Sequence, residues 1–166
     1  MFEKILLCLD GSELAEQVLP YAAEQASRFN SEVTLLEVVR PSSTFVTPMM
    51  PGADPAAPVF VQEDASKVLR DEKEAEAYLA RVAQRLRKSG LDVECVTRFG
   101  DPGAVIVAYA SESDADLIAL ATHGRGGLGR LVFGSVADHV LKESGLPILL
   151  IRPHEDGHAE AAQAKS

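Results

Sequence analysis

The sequence predicts an α/β domain built on a parallel sheet. Two observations carry this. Five short apolar runs alternate along the chain with segments of helical period, and that alternation is the pattern of βαβ units. The fourth run, Asp116-Leu117-Ile118-Ala119-Leu120, leads straight into a glycine-rich loop and then a helix-like segment, Val136–Lys142. Right-handed crossovers and a ligand crevice beyond the strand C-termini, where the strand order reverses, follow from general rules for such sheets.

Lys4 to Leu9 (KILLCL) reads as a strand covered on both faces, because it is continuously apolar rather than alternating. Asp10-Gly11-Ser12 ends it, and Ser12 is a candidate N-cap. A single helix is expected next, carried by Leu14, Val18, Tyr21, Ala22, Gln25 and Phe29. Glu32 to Val39 is the second strand. Residues 41–63 lack a regular pattern; Pro41 to Val61 is rich in proline and small residues, with Met49 and Met50 in its middle, as in a long loop or a lid. Ala65 to Ser89 reads as a charged amphipathic helix with Gly90 at C′, and the Lys67–Lys88 charges as its solvated face. Asp92 to Thr97 is the third strand. Asp101-Pro102 is a helix start, with Asp at the N-cap and Pro at the first helical position. Leu117 to Ala121 is the fourth strand. Gly145-Leu146-Pro147 leads into the fifth, Ile148 to Arg152. The domain is expected to span residues 1–153, and the polar, alanine-rich segment 154–166 to be disordered.

The loop Ala121-Thr-His123-Gly124-Arg125-Gly-Gly127-Leu-Gly-Arg130-Leu-Val-Phe-Gly134-Ser135 is where chemistry is expected. Glycines let backbone N–H groups approach an anion closely. The following helix adds unpaired N–H groups and a partial positive charge. Arg125 and Arg130 add full charges, and Ser135 offers a hydroxyl. The combination reads as an anion site for nucleotide phosphates. Gly124 to Gly129 also matches GxGxxG, but the helix opens only near Gly134 and no carboxylate closes the next strand, so a dinucleotide fingerprint is rejected. No GK[ST] follows, which rejects a Walker A loop. The competing reading is a flexible loop with solvated arginines.

Other residues have plain structural readings beside the functional ones. Asp10 can contact a ligand or only serve its turn. His123 can meet phosphate, or fill a polar gap in the loop, since no partner acid or nucleophile adjoins it. His154 and His158 are spaced like a metal pair but fall in the expected disordered tail. No general base, nucleophile or acidic metal cluster is evident, which ranks an enzyme, at most a slow ATPase or phosphotransferase, last. The net charge of −9 and pI near 4.9 disfavour nucleic acid as a partner. Cys8 and Cys95 lie in separate apolar runs and are expected to be buried thiols. The chain opens into a strand, and no apolar run reaches membrane-spanning length, so no membrane insertion and a cytoplasmic location are expected.

At the loop the chain resembles the universal stress protein family, and the similarity extends over Met1 to Pro153. The family's phosphate pattern is Gly, two residues, Gly, nine residues, then Gly and Ser or Thr. Gly124, nine residues and Gly134-Ser135 fit it, while Ala121 stands at the first glycine. Asp10-Gly11-Ser12, Val38 and the closing Pro147-Ile-Leu-Leu-Ile-Arg-Pro153 strand match as well. The resemblance implies a single open, Rossmann-like, five-stranded parallel sheet of order 3-2-1-4-5 with helices on both faces. Asp10 would then face the loop across one crevice. Asp10 would lie beside the adenosine, Val38 would contact the adenine through its backbone, and Gly124, Gly134 and Ser135 would hold phosphates. Ala121 would permit close approach of a ribose. The implied ligand is ATP accompanied by Mg²⁺, in a stress-response or signalling protein. The implied partner is a second copy of the chain, paired through residues 148–152. The alternative is a dimeric interaction protein that uses no nucleotide.

Overall fold

The computed structural model describes residues 1–40, 65–122 and 134–153. Its sheet contains β1 (Lys4–Leu9), β2 (Glu32–Val39), β3 (Asp92–Phe99), β4 (Leu117–Ala121) and β5 (Ile148–Ile151). All neighbours are parallel and the order is β3-β2-β1-β4-β5. The expected sheet and its expected order are both present. The helices are α1 (Glu13–Glu16), α2 (Leu19–Phe29), α3 (Ala65–Lys88), α4 (Pro102–Glu112) and α5 (Ser135–Glu143).

Strand side chains alternate between two cores, because successive Cβ atoms point to opposite faces. Ile5, Leu7 and Leu9 of β1, with Val33 and Leu35 of β2, pack under α1, α2 and α3. Leu6, Cys8, Leu36 and Val96 pack under α4 and α5. Ile5, Leu6, Leu7, Leu35, Leu36 and Ile118 are among the most enclosed side chains described. This two-sided cover explains why β1 and β4 read as continuous apolar runs.

The helix expected after Ser12 is divided. Pro20 follows Leu19 at the start of α2. It cannot donate to the Glu16 carbonyl, and its ring crowds that carbonyl. Gln17 and Val18 instead donate to Leu14 and Ala15, both at 3.2 Å, in tighter turns. The buried stripe is Ala15, Val18, Leu19, Ala22 and Ala26, whereas Tyr21 is 52% exposed.

α3 behaves as its sequence indicates. Tyr78, Leu79, Val82, Ala83 and Leu86 face the sheet, and the charges lie outside. Gly90 has φ +85°; its N–H donates to Arg87, and that of Leu91 to Leu86. This is a Schellman closure, in which a left-handed C′ residue is required. β3 runs two residues past the expected Thr97, and β5 stops one short of Arg152. Cys8 is buried as expected, and burial pushes its thiol up to about 12. Cys95 is exposed, contrary to expectation. It lies on β3, which ends the sheet and has a neighbouring strand on one side only. The 41–63 loop and the 154–166 segment, with His154 and His158, lie outside the described residues.

Candidate functional site at the carboxyl ends of β1 and β4

The strand order reverses between β1 and β4, which are adjacent but lead to connections on opposite sides. Neighbouring crossovers diverge there and leave a crevice at the strand C-termini. The cleft at this point has a volume of about 430 Å³. Asp10, Val38, Ala121, Gly134 and Ser135 all line it. Five of the ten expected site residues therefore meet in one place. His123, Gly124, Arg125, Gly127 and Arg130 lie outside the described residues.

Local sequence sets each wall. β1 ends at Leu9, and the chain turns through Gly11 at φ +78°, a conformation that favours glycine. One Asp10 carboxylate oxygen accepts from the Ser12 N–H at 3.1 Å and from the Ser12 hydroxyl at 2.6 Å. The Ser12 oxygen in turn accepts from the Ala15 N–H at 3.1 Å and so caps α1. Asp10 thus serves the turn and lines the cleft; the two readings of this residue are compatible.

The opposite wall begins where β4 ends. Thr122 is buried, and its N–H donates to the Ile151 carbonyl at 2.8 Å. That bond carries the β4–β5 ladder one step past Ala121 and fixes the point from which the glycine-rich segment departs. The chain re-enters at Gly134, the N-cap of α5, which makes no side-chain cap. The first-turn N–H groups of α5 beside Ser135 consequently lack intrahelical partners. They point from an end of partial positive charge.

α4 supplies the third wall through Pro102 and Ile106. The Asp101 carboxylate accepts from the Ala104 N–H at 3.1 Å and fixes where this helix starts. Cys8, Leu36 and Leu120 form an apolar floor, and Arg40 adds a cation at the rim. The cleft can hold a flat apolar group against Val38 and Ile106 while offering N–H donors and a hydroxyl at the α5 end. Among the described residues, no cluster of three or more His, Cys, Asp or Glu is arranged to hold a metal.

The chain matches the universal stress protein family over residues 1–152. It belongs to that family. Among curated relatives, YxiE of Bacillus subtilis is 29% identical over 154 residues, covering 92% of this chain and all of that one. MJ0531 of Methanocaldococcus jannaschii is 30% identical, with 92% of this chain and 83% of that one covered. Solved structures share the fold. A universal stress protein in complex with cAMP superposes at TM-score 0.65 with 20% identity, covering 92% of this chain and 98% of that chain. A family member from Arabidopsis thaliana with AMP bound gives 0.61 at 16% identity, covering 96% and 97%.

Two residues of this universal stress protein bear on the cleft without having been singled out in the sequence. Arg40 is the first, and its position just beyond the C-terminus of β2 is the signal that points to it. Glu37 is the second. It is the only charge inside the run Val33 to Val39. Its carboxyl is pushed up to about 7, first by burial and then by the charge of Asp10.

Proposed function

We propose that this protein binds an adenine nucleotide, ATP in the first place, in the cleft between Asp10 and the α5 N-terminus, and acts as a stress-response or signalling protein of the cytoplasm. The observation that carries the reading is the convergence of Asp10, Val38, Ala121, Gly134 and Ser135 on one cleft at the switch point. The cAMP and AMP complexes of proteins with the same fold support the adenine nucleotide class. The base lies against Val38, the ribose beside Asp10 and Ala121, and the phosphates at Gly134, Ser135 and the α5 N–H groups. His123, Gly124, Arg125, Gly127 and Arg130 complete the phosphate side by their place in the loop. Mg²⁺ accompanies the triphosphate. Asp10 is the only carboxylate among the described cleft-lining residues, so phosphate oxygens and water supply most of the ion's ligands. No catalytic role is assigned to any residue; the nucleotide acts by biasing conformation or assembly.

The partner is a second copy of the chain, paired through residues 148–152. β5 ends the sheet, and Ile148, Leu149, Leu150 and Ile151 are each only half-buried. An apolar sheet edge of this kind is costly to leave open. The same edge supports the second reading, an interaction protein independent of nucleotide.

Mass spectrometry of small molecules released on denaturation, with calorimetric titration of Mg-ATP, tests the first reading. Adenine nucleotide is expected to co-purify or to bind at micromolar concentration. Gly124→Val with Gly134→Val is expected to abolish binding in a folded protein, and unchanged affinity would refute the site. A monomer by light scattering at micromolar concentration would refute the dimer.

A further inference from the structure

We propose that Glu37 is a positioning residue for Asp10 and couples nucleotide binding to the uptake of a proton; the inference rests on the nucleotide reading of the cleft. In the β1–β2 register Glu37 stands opposite Leu9, one residue before Asp10. Leu35, two residues earlier on the same strand face, belongs to the core under α1, α2 and α3. Glu37 therefore projects to that side, behind the β1–α1 turn, while Val38 lines the cleft. A Cβ built on Gly11 would stand 3.4 Å from Glu37 Oε1, so the carboxyl packs directly beneath the turn that presents Asp10. Glu37 Oε2 is enclosed and has no hydrogen-bond partner among the described residues.

The groups around it explain why its charge matters. Asp10 comes from the end of β1, Glu16 from α1, and Tyr78 and Arg85 from α3. Arg85 is paired with Glu16, and the one charge acting on Glu37 among the described residues is that of Asp10. The Tyr78 hydroxyl is likewise enclosed, beside the Glu16 carboxylate. Its pKa is raised by burial first and then by Glu16, Glu37 and Asp10. An ionised Glu37 would add a second negative charge behind Asp10, and among the described residues no cation is paired with it. Neutral Glu37 leaves a single charge at the turn, that of Asp10, anchored by Ser12.

Burial and the Asp10 charge place the Glu37 midpoint at about 7, within reach of ordinary changes in pH. A bound nucleotide adds negative charge to the cleft and raises that midpoint further. Binding then draws in a proton around neutral pH, and affinity falls as pH rises through 7. One linked proton limits the fall to about tenfold per pH unit.

Calorimetric titration with cAMP, whose phosphodiester charge is constant from pH 6 to 8, tests the coupling in two buffers of different ionisation enthalpy. Mg-ATP serves as the second probe. Wild type is expected to lose affinity about three- to tenfold between pH 6 and 8 and to take up a fraction of a proton at pH 7. Glu37→Gln mimics the neutral acid. It is expected to keep the affinity of wild type at pH 6, to flatten the profile and to remove that uptake. The coupling is read as the difference between wild type and Glu37→Gln, which removes the contribution of every other group. A profile unchanged by the substitution overturns the inference while leaving the nucleotide site intact. Carboxyl ¹³C NMR of the ligand-free chain provides an independent check. A Glu37 midpoint near 7 is expected, and one in the ordinary carboxylate range overturns the inference. Failure of both nucleotides to bind overturns the nucleotide reading instead.

Discussion

Gly103 sits where α4 crosses α5, and replacing it with alanine tests how tightly that contact holds the cleft. A Cβ at this position would lie 2.9 Å from His139 Cβ, 2.9 Å from Cγ and 3.0 Å from Cδ2. Real Cβ atoms do not approach that closely, so a neighbour must move. The His139 imidazole is exposed and can swing into solvent. Its Cβ is fixed to the backbone of α5, and relief there requires the two helices to separate. Over-packing of this sort costs about 1–3 kcal/mol. Replacing glycine by alanine in a helix returns up to about 1 kcal/mol, less here because Gly103 is in the first turn of α4. The expected net effect is a loss of about 1–2 kcal/mol, read as a lower urea midpoint at unchanged slope. Adding His139→Ala removes two of the three close atoms but keeps Cβ, so recovery should be partial. Because α5 carries Ser135 at its N-terminus, nucleotide affinity should fall with stability in Gly103→Ala. A variant as stable as wild type, or fully restored by His139→Ala, would refute the claim that the α4–α5 backbone contact is the limiting one.

Two further outcomes follow from the same contacts. Asp101→Ala removes the cap bond to the Ala104 N–H and is expected to cost about 1 kcal/mol; a thermal melt of the variant checks it, with Asp101→Asn recovering most of the loss. Glu37→Gln should change stability in a pH-dependent way. The folded-state pKa of Glu37 is raised to about 7, so its neutral form is favoured in the native state. That contribution is fully present below the ordinary carboxylate range and is lost as pH rises through 7. Relative to wild type, the glutamine variant should therefore be more stable at pH 8.5, by about 1 kcal/mol after discounting for partial solvent access. The difference should vanish near pH 4, and chemical unfolding at the two pH values measures it.

The strands were legible because two-sided burial writes a continuous apolar run, as in β1 and β4, and β2 keeps most of one around Thr34 and Glu37. Turn chemistry was legible where one residue type has one physical role, as at Ser12, Gly90, Asp101 and Pro102. The break between α1 and α2 was hidden by apolar residues that continue at helical spacing through Pro20; the proline itself was the signal. Cys95 misled because an apolar strand pattern does not say whether its strand lies inside the sheet or at its edge. The cleft was legible in outline, since Asp10 and the 121–135 segment end adjacent strands. Glu37 and Arg40 were not, because what singles them out is tertiary: Leu9 and the Gly11 turn beside Glu37, and the cleft that Arg40 lines.

Ala121 decides how far this chain tolerates a departure from the family's phosphate pattern. It is the last residue of β4 and lines the cleft. Its side chain is also packed against the core under α1, α2 and α3, the same face as Ala119 and Leu117, two and four residues before it. The apolar floor of the cleft, Cys8, Leu36 and Leu120, belongs to the other face. The methyl that distinguishes alanine from glycine therefore packs against that core, whose Leu9 and Ala15 also line the cleft. Ala121→Gly should then cost stability, about 0.5–1 kcal/mol from lost packing and added backbone freedom, while nucleotide affinity stays within about twofold, a shift of about 0.4 kcal/mol. Tighter binding by tenfold or more in Ala121→Gly would show that the methyl obstructs the ligand, and would refute its assignment to the core.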